Sequence, residues 1–485
     1  MIAISRLARL GKDSIVYGLG AVLAKGVAFF TIPIYTRIFS PADYGIIEMM
    51  LTISSLLSAF LVMGMDSAQS FYFFEQKAHG LRAQAMVVSS ILQWRLLWGT
   101  VIVGVALIGA PLWNRWFFNE DLGFTIFAAA FFGALFSQIL SQSIEIFRLL
   151  YRPWSYISVT LAQTFLSVAF VLFLIVALRQ GIVGFFVGSA AASFLLACWS
   201  WSRVREYVDF SSLHTVWWPK LLKFGAPLLP GGLAFYVMST ADRWFIQHYH
   251  DTTALGQYAI AAKFALLMAL MIETFRKAWW PIAMDAMHSE DGPQTFRMIA
   301  RLFMGVGVAG VIGLTFIVPW LMRLLTTPDY FSAWKMTGIL AWQSLFYGFF
   351  LVGSAGIWKA EKTWITSLLM IGAALFNVFL NYLLVPPYAG LGAALATVIT
   401  YFLWMMTSII LSEHFWLVGF RMRVLLFQVA VGCLVTLWLI VSDKRSTLEF
   451  SGAFASFLLM IISSLEKKDW LKIKRKVDAL LEKNN

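Results

Sequence analysis

Runs of about twenty apolar residues, broken by charged residues, proline and glycine, fill almost all of this chain of 485 residues. A helix of about twenty residues is long enough to cross the hydrocarbon core of a membrane, roughly 30 Å thick. The pattern predicts an all-α integral membrane protein with about fourteen transmembrane helices. The predicted segments are 15–39, 43–68, 84–110, 124–147, 154–178, 182–202, 219–246, 253–275, 300–325, 336–358, 363–385, 389–412, 422–441 and 447–465.

Composition and charge agree with a membrane location. Hydrophobic residues make up 60 % of the chain and charged residues 13 %, whereas a soluble domain is about one quarter charged. The net charge of +12 does not indicate a nucleic-acid partner, because the basic residues lie mostly in short loops and in the C-terminal tail. With both termini in the cytoplasm, 26 lysines and arginines fall on the cytoplasmic side and six in outer loops. This asymmetry follows the positive-inside rule and predicts a plasma-membrane protein with that orientation.

The N-terminus carries Arg6, Arg9 and Lys12 before the first apolar run. That run is longer than the core of a signal peptide, and no small-residue cleavage site follows it. We therefore expect it to stay as the first transmembrane helix.

A weak internal repeat suggests how the segments are grouped. At a spacing of 206 residues, the pattern of glycine, alanine, phenylalanine and arginine in 26–39 returns in 232–245. A duplication of six helices, in parallel orientation, explains this order. We therefore predict an N-terminal lobe over 1–205, a C-terminal lobe over 206–415, two further helices over 416–465 and a basic amphipathic cytoplasmic tail over 466–485.

Three cations fall near the middle of predicted helices: Lys25, Arg95 and Lys263. A charge at this depth is costly and is seldom found without a partner, a cavity or a function. An anionic ligand such as a phosphate group would match these cations, and Arg243, nearer the outer end of its helix, is a further candidate. The alternative is that each cation pairs with an internal carboxylate or with helix carbonyls. Since Glu48 and Asp66 lie near predicted helix ends, we favour the ligand-binding interpretation.

A second group of polar residues lies in the outer half of the predicted helices. Asp242 is in segment seven, Asn377 and Asn381 are one turn apart in segment eleven, and Thr397 is in segment twelve. Carboxylate, amide and hydroxyl oxygens suit a small hard cation such as Na⁺. Hydrogen bonding between helices is the alternative, and Asp242 could instead pair with Arg243 or Lys263.

Three stretches near the N-terminus carry a resemblance to a known family: Ser14 to Gly20, Ile32 to Arg37 and Phe39 to Gly45. The chain resembles the Wzx-type polysaccharide flippases, within the superfamily that also holds the lipid II flippases and the multidrug extruders. The resemblance implies two six-helix lobes around a central cavity that opens alternately to each side. It also implies an oligosaccharide on a polyprenyl diphosphate carrier as substrate, as in O-antigen, capsule or exopolysaccharide synthesis.

The resemblance also implies roles for individual residues and for partners. Lys25 and Lys263 match two of the cations that line the cavity of the lipid II branch, and Asp242, Asn377, Asn381 and Thr397 match its sodium site. We therefore expect Na⁺ or H⁺ as a coupling ion and no other cofactor. Membrane lipids, a polysaccharide polymerase and a chain-length regulator are the expected partners, and nucleic acid is not.

Two other functions fit a membrane protein of this kind less well. An organic-cation antiporter would need a cavity dominated by acids, whereas the predicted midplane is basic. A membrane glycosyltransferase or polymerase would need a large outer loop or catalytic acids near the surface, and the outer loops are short. No phosphate-binding loop or nucleophile motif is visible, so transport would not be driven by ATP hydrolysis in this chain. We expect a transporter rather than an enzyme.

Overall fold

The computed structural model describes residues 23, 26, 27, 29–118, 121–211, 213–442 and 447–464, in which helices account for nearly all regular structure. The predicted tail 466–485, and Lys25 with the start of the first predicted segment, lie outside the described residues. The chain divides into two compact units, Met1–Ala259 and Ile260–Asn485. The predicted lobe boundary near residue 205 stays a prediction.

Ten α-helices, together with short 3₁₀ and π-helical turns, build the part of the first unit from residue 31 onward that the structure describes. They are α1 (Ile32–Ile38), α2 (Pro41–Val62), α3 (Met65–Glu75), α4 (Leu81–Ile108), α5 (Ala110–Phe117), α6 (Phe124–Leu149), α7 (Pro153–Leu172), α8 (Gly181–Arg203), α9 (Trp218–Gly225) and α10 (Leu229–Tyr249). Helix α11 (Thr252–His288) begins in this unit and continues into the second.

The second unit continues with helices of similar length. They are α12 (Gly292–Leu325), α13 (Trp334–Gly353), α14 (Ala355–Lys359), α15 (Thr363–Phe415), α16 (Met422–Ser442) and α17 (Thr447–Ser464). Helix α12 packs against α13, α16 and α17. Glycines allow this close packing, since a Cβ at Gly307 would meet the Leu345 side chain at 2.2 Å and one at Gly432 would meet Val308 at 2.3 Å.

The all-α membrane fold is confirmed. Within the described residues, eleven helical stretches are long and apolar enough to cross a membrane, and Glu449–Ser464 forms a shorter apolar helix. One of the eleven, Trp364–Phe415, contains two predicted segments, because the backbone turns at Ala389 after Pro386 and Pro387. The predicted count of fourteen is therefore approximate.

The ends of helix α2 are set by its sequence. Ser40 and Asp43 form a capping box, in which each side chain accepts a hydrogen bond from the other residue's backbone N–H, and Pro41 occupies the first turn; both features favour a helix start. The helix ends where Met63 and Gly64 adopt left-handed backbone angles, with φ of 43° and 73°. Helix α3 begins at Met65, so only Met63 and Gly64 interrupt the helical structure at this bend.

Candidate functional site

Charged side chains from α2 and α10 meet inside the first unit. The Arg243 guanidinium donates from Nε to Glu48 Oε1 at 2.8 Å and from Nη1 to Asp242 Oδ1 at 3.0 Å. Asp242 is 3 % exposed, and its carboxylate also accepts hydrogen bonds from the Arg243 backbone N–H at 2.9 Å and from the Tyr258 hydroxyl. We call Glu48, Asp242, Arg243 and Tyr258 the acid–arginine cluster. It places two carboxylates on one guanidinium.

Glycines bring the helices of this cluster together. A Cβ on Gly45 would lie 1.8 Å from the Thr252 carbonyl oxygen, and one on Gly256 would lie 1.9 Å from the Pro41 carbonyl oxygen. Real Cβ atoms do not approach so closely, so both positions require glycine at this helix spacing. The start of α2 is thereby fixed against the start of α11, one turn from the acid–arginine cluster.

A second ion pair, between a buried arginine and a partly exposed aspartate, lies at the bend between α2 and α3. Arg95, on α4, is completely buried and donates to the Asp66 carboxylate and to the Gln138 carbonyl. Asp66 follows the Met63–Gly64 bend in the first turn of α3. The expectation that Arg95 lacks a nearby acid was wrong, because helical structure resumes at Met65 after the bend and brings Asp66 against α4.

Polar residues of α15 form a cluster inside the second unit. Asn381 donates to Asn377 Oδ1 at 2.9 Å, and Asn377 donates to Thr400 Oγ1 at 3.3 Å. These residues and Thr397 are completely or almost completely buried. The Asn381 Oδ1 and Thr397 Oγ1 atoms have no hydrogen-bond partner within the part of the chain that the structure describes. We call Asn377, Asn381, Thr397 and Thr400 the amide–hydroxyl cluster.

The amide–hydroxyl cluster fits a small cation by its chemistry. A buried oxygen without a partner is costly, and amide and hydroxyl oxygens are ligands for hard cations. Asp242, predicted as the acid of the same ion site, belongs to the first unit and is hydrogen-bonded there to Arg243 and Tyr258. No group of three or more histidine, cysteine, aspartate or glutamate side chains suited to a metal was found among the described residues. Na⁺ binding stays a prediction.

The predicted substrate-binding cations have different surroundings. Arg95 and Arg243 are held by carboxylates, which is the structural alternative considered from the sequence. Lys263 is half-buried near the middle of the membrane-crossing stretch Thr252–Arg276. Lys25 lies outside the described residues. Their roles in binding a substrate stay predictions.

The connection between α8 and α9 is bound to helix α4 through its backbone. Ser89 Oγ accepts from the Asp209 backbone N–H at 2.7 Å and donates to the Tyr207 carbonyl at 3.2 Å. Gln93 Oε1 accepts from the His214 backbone N–H at 2.9 Å. The connection, predicted to be cytoplasmic, is therefore an ordered element attached to α4. Sequence reasoning missed this arrangement, because the serines of α4 resemble ordinary small residues of a membrane helix.

Asp209 organises the same connection. Its carboxylate accepts from the Ser211 hydroxyl at 2.6 Å and from the Ser211 backbone N–H at 2.9 Å. These two hydrogen bonds, with a smaller contribution from the nearby His214, hold the pKa of the Asp209 carboxyl below its usual value. Burial, followed by the charge of Glu206, raises the pKa of the Tyr207 hydroxyl.

Solved structures share this arrangement of helices. The chain matches a lipid II flippase, MurJ, in an inward closed conformation, with a TM-score of 0.72 at 14 % identity, over 92 % of this chain and 98 % of that one. It also matches an inward-facing multidrug resistance transporter of the MATE family, of the MOP superfamily, with a TM-score of 0.65 at 12 % identity, over 80 % and 94 % of the two chains. The protein is thus a multi-pass membrane protein with the fold of these transporters.

Its family is shown by sequence. The model of the family described as polysaccharide biosynthesis protein matches residues 10–287, and the chain belongs to that family. The family match confirms the predicted resemblance to polysaccharide flippases.

Two curated proteins of Haemophilus influenzae are also similar. One, from the Lsg locus, is 25 % identical over 290 residues, which cover 57 % of this chain and 66 % of the relative. The other, an uncharacterized membrane protein, is 23 % identical over 275 residues, which cover 56 % and 64 %. The matched region thus spans slightly less than two thirds of either relative.

Proposed function

We propose that the protein is a flippase that moves polyprenyl-diphosphate-linked oligosaccharide units across the plasma membrane for cell-surface polysaccharide synthesis. The observation that carries this proposal is the family match over residues 10–287. The fold supports it, since one protein with this fold is a lipid II flippase. Transport would proceed by alternating access, with no chemical step catalysed by the protein.

The diphosphate would bind cations that can reach it. Lys25 and Lys263 are the leading candidates, because the resemblance places both among the cations that line the cavity, and Lys263 is half-buried in mid-helix. The Arg95 charge is matched by Asp66. Arg243 is likewise matched by two carboxylates. Since carboxylates already hold both arginines, Arg95 and Arg243 are the weaker candidates.

A coupling ion or the membrane potential would set the direction of transport. The amide–hydroxyl cluster is the candidate Na⁺ site of the second unit, because the Asn381 and Thr397 oxygens lack other partners among the described residues. Asp242 is the candidate acid, for Na⁺ or for a proton. The protein would reside in the bacterial plasma membrane with both termini cytoplasmic, among membrane lipids and beside the polymerase and chain-length regulator of its pathway.

A deletion strain tests the function directly. We expect loss of the surface polysaccharide and accumulation of its lipid-linked unit on the cytoplasmic side, both restored by the wild-type gene. Lys25→Ala and Lys263→Ala should each fail to restore the polysaccharide at normal protein abundance, whereas the control Lys335→Ala should restore it. Normal surface polysaccharide in the deletion strain, combined with increased sensitivity to cationic drugs, would contradict the proposal and favour a multidrug antiporter.

A further inference from the structure

A cavity of about 230 Å³ lies within the first unit, bounded by helices α2, α6, α7 and α8. Its polar lining consists of hydroxyl and amide side chains: Ser54, Ser55 and Ser58 on α2, Ser137 on α6, Gln163 on α7, and Ser189 and Ser193 on α8. No charged side chain was found in this lining among the described residues. We call this space the serine cavity.

Several of these polar groups have unused hydrogen-bonding capacity. Ser54 is 8 % exposed, and its Oγ atom has no partner within the described residues. By contrast, Ser58 Oγ donates to the Ser54 carbonyl at 2.9 Å, as serines in membrane helices commonly do. Gln163 and Ser193 also make no hydrogen bond within the part of the chain that the structure describes. The cavity therefore presents donors and acceptors that helix packing does not use.

Small residues keep the space open. The wall of α6 carries Ala129, Ala130, Gly133 and Ala134. A Cβ on Gly133 would lie only 3.3 Å from the Ala190 Cβ, so α6 and α8 approach closely beside the cavity. Its volume of about 230 Å³ corresponds to roughly eight water molecules at about 30 Å³ each. It is smaller than the roughly 300–1,000 Å³ of sites for drug-sized ligands, so it suits one small ring.

We propose that the serine cavity binds one uncharged sugar unit of the transported oligosaccharide, a step that rests on the function proposed above. Sugar hydroxyl and acetamido groups both donate and accept hydrogen bonds, as do serine hydroxyls and the glutamine amide. A phosphate or a free ion is a poor occupant, because the described lining residues carry no opposite charge to compensate its own. The cavity thus recognises the glycan, while the predicted cations recognise the diphosphate.

Binding of simple glycosides tests this proposal without transport. The probes are methyl glucoside and methyl N-acetylglucosaminide, added to purified protein in lipid nanodiscs and observed by saturation-transfer NMR. We expect a signal with at least one probe for the wild-type protein. The double variant Ser54→Val/Ser193→Val and the filling variant Ala134→Leu should each bind about tenfold more weakly, the effect expected for one lost hydrogen bond or for lost space.

A matched control and a second measurement separate the outcomes. Ser158→Val changes an exposed serine of α7 whose hydroxyl donates to the Ser155 carbonyl, and it should bind as the wild type does. No signal with wild-type protein, or an unchanged signal in both the double variant and Ala134→Leu, would overturn the cavity proposal. Surface polysaccharide in the deletion strain is scored separately, so a failure of the flippase function is distinguishable from a failure of the cavity.

Discussion

Arg243 Nε and Glu48 Oε1 lie 2.8 Å apart, although 195 residues separate them in the chain. The contact joins helix α2 to helix α10 within the first unit, and Asp242 adds a second carboxylate to the same guanidinium. The Tyr236 hydroxyl also donates to the Thr52 carbonyl, at 2.5 Å. The two helices are therefore connected by several partly buried polar contacts.

Replacing Arg243 should destabilise the protein. Arg243→Leu removes the guanidinium that faces both carboxylates, and breaking a buried pair by removing one partner costs about 3–5 kcal/mol. Arg243→Lys keeps the charge but loses the bidentate hydrogen-bonding geometry of the guanidinium. Its loss of stability should therefore be smaller than that of Arg243→Leu. Thermal unfolding in detergent measures both effects.

The control for this prediction is Arg37, the residue that the internal repeat pairs with Arg243. Its guanidinium is exposed and donates to the Pro33 carbonyl of its own helix. Arg37→Leu should leave the unfolding temperature nearly unchanged. If Arg243→Leu unfolded at the wild-type temperature but no longer bound the lipid-linked substrate, Arg243 would belong to the substrate site instead.

Glycine is required where α2 meets α11. Gly45→Ala places a methyl group 1.8 Å from the Thr252 carbonyl oxygen, and overpacking of this kind costs about 1–3 kcal/mol. The unfolding temperature should fall accordingly. Gly232→Ala on α10 is the control, because a Cβ there meets no atom within 4 Å. Equal stability of the two variants would show that the helices separate without cost.

The helices could be predicted from the sequence more fully than the contacts between them. Apolar runs bounded by charge, proline and glycine give the positions of α6, α8 and α16 to within about two residues, because the membrane dictates their length. The Arg95–Asp66 pair was missed, since hydropathy does not reveal that helical structure resumes after the Met63–Gly64 bend. The pairing of Asp242 with Arg243 was predicted as an alternative, because the two residues are adjacent in the chain.

Contacts between residues far apart in the chain could not be predicted from the sequence. Glu48 was assigned to a helix end without a partner, since its partner lies in another helix. The hydroxyls of the serine cavity look like ordinary packing residues until four helices place them around one space. Thr400 was also missed, although its position one turn from Thr397 could have indicated that it faces Asn377.

Sodium should stabilise the protein through the amide–hydroxyl cluster. If Na⁺ binds the partnerless oxygens of Asn381 and Thr397, replacing choline by Na⁺ at constant ionic strength should raise the unfolding temperature. At a hundredfold excess over Kd, ligand binding adds about 2.7 kcal/mol to stability. Thr397→Val removes one of the oxygens with little change in shape and should reduce the response.

Thr407→Val is the matched control for sodium binding. Thr407 lies on the same helix, is exposed and donates to the Leu403 carbonyl at 2.8 Å. This variant should keep the full sodium response. Equal responses of wild type, Thr397→Val and Thr407→Val would contradict sodium binding at this cluster, and hydrogen bonding between helices would then explain its polar residues.

Acid should loosen the connection between α8 and α9. The Ser211 hydrogen bonds hold the folded pKa of Asp209 below its usual value, which is about 3.9 in an unfolded chain. A carboxyl with a depressed folded pKa contributes stability that is present above the unfolded pKa and is lost as the pH falls through the folded pKa. The contribution of Asp209 should therefore be complete at neutral pH and decline below about pH 4.

Asp209→Asn tests this pH dependence. The variant should be less stable than the wild type at pH 7, and the difference should shrink as the pH falls below about 4. Ser211→Ala removes the hydroxyl donor but keeps the backbone N–H, so it should show a smaller loss with the same pH trend. Hydrogen exchange of residues 207–214, followed by mass spectrometry, locates the effect in the connection. A stability difference that stays constant from pH 7 to pH 3 would mean that Asp209 acts through its shape and not through its charge.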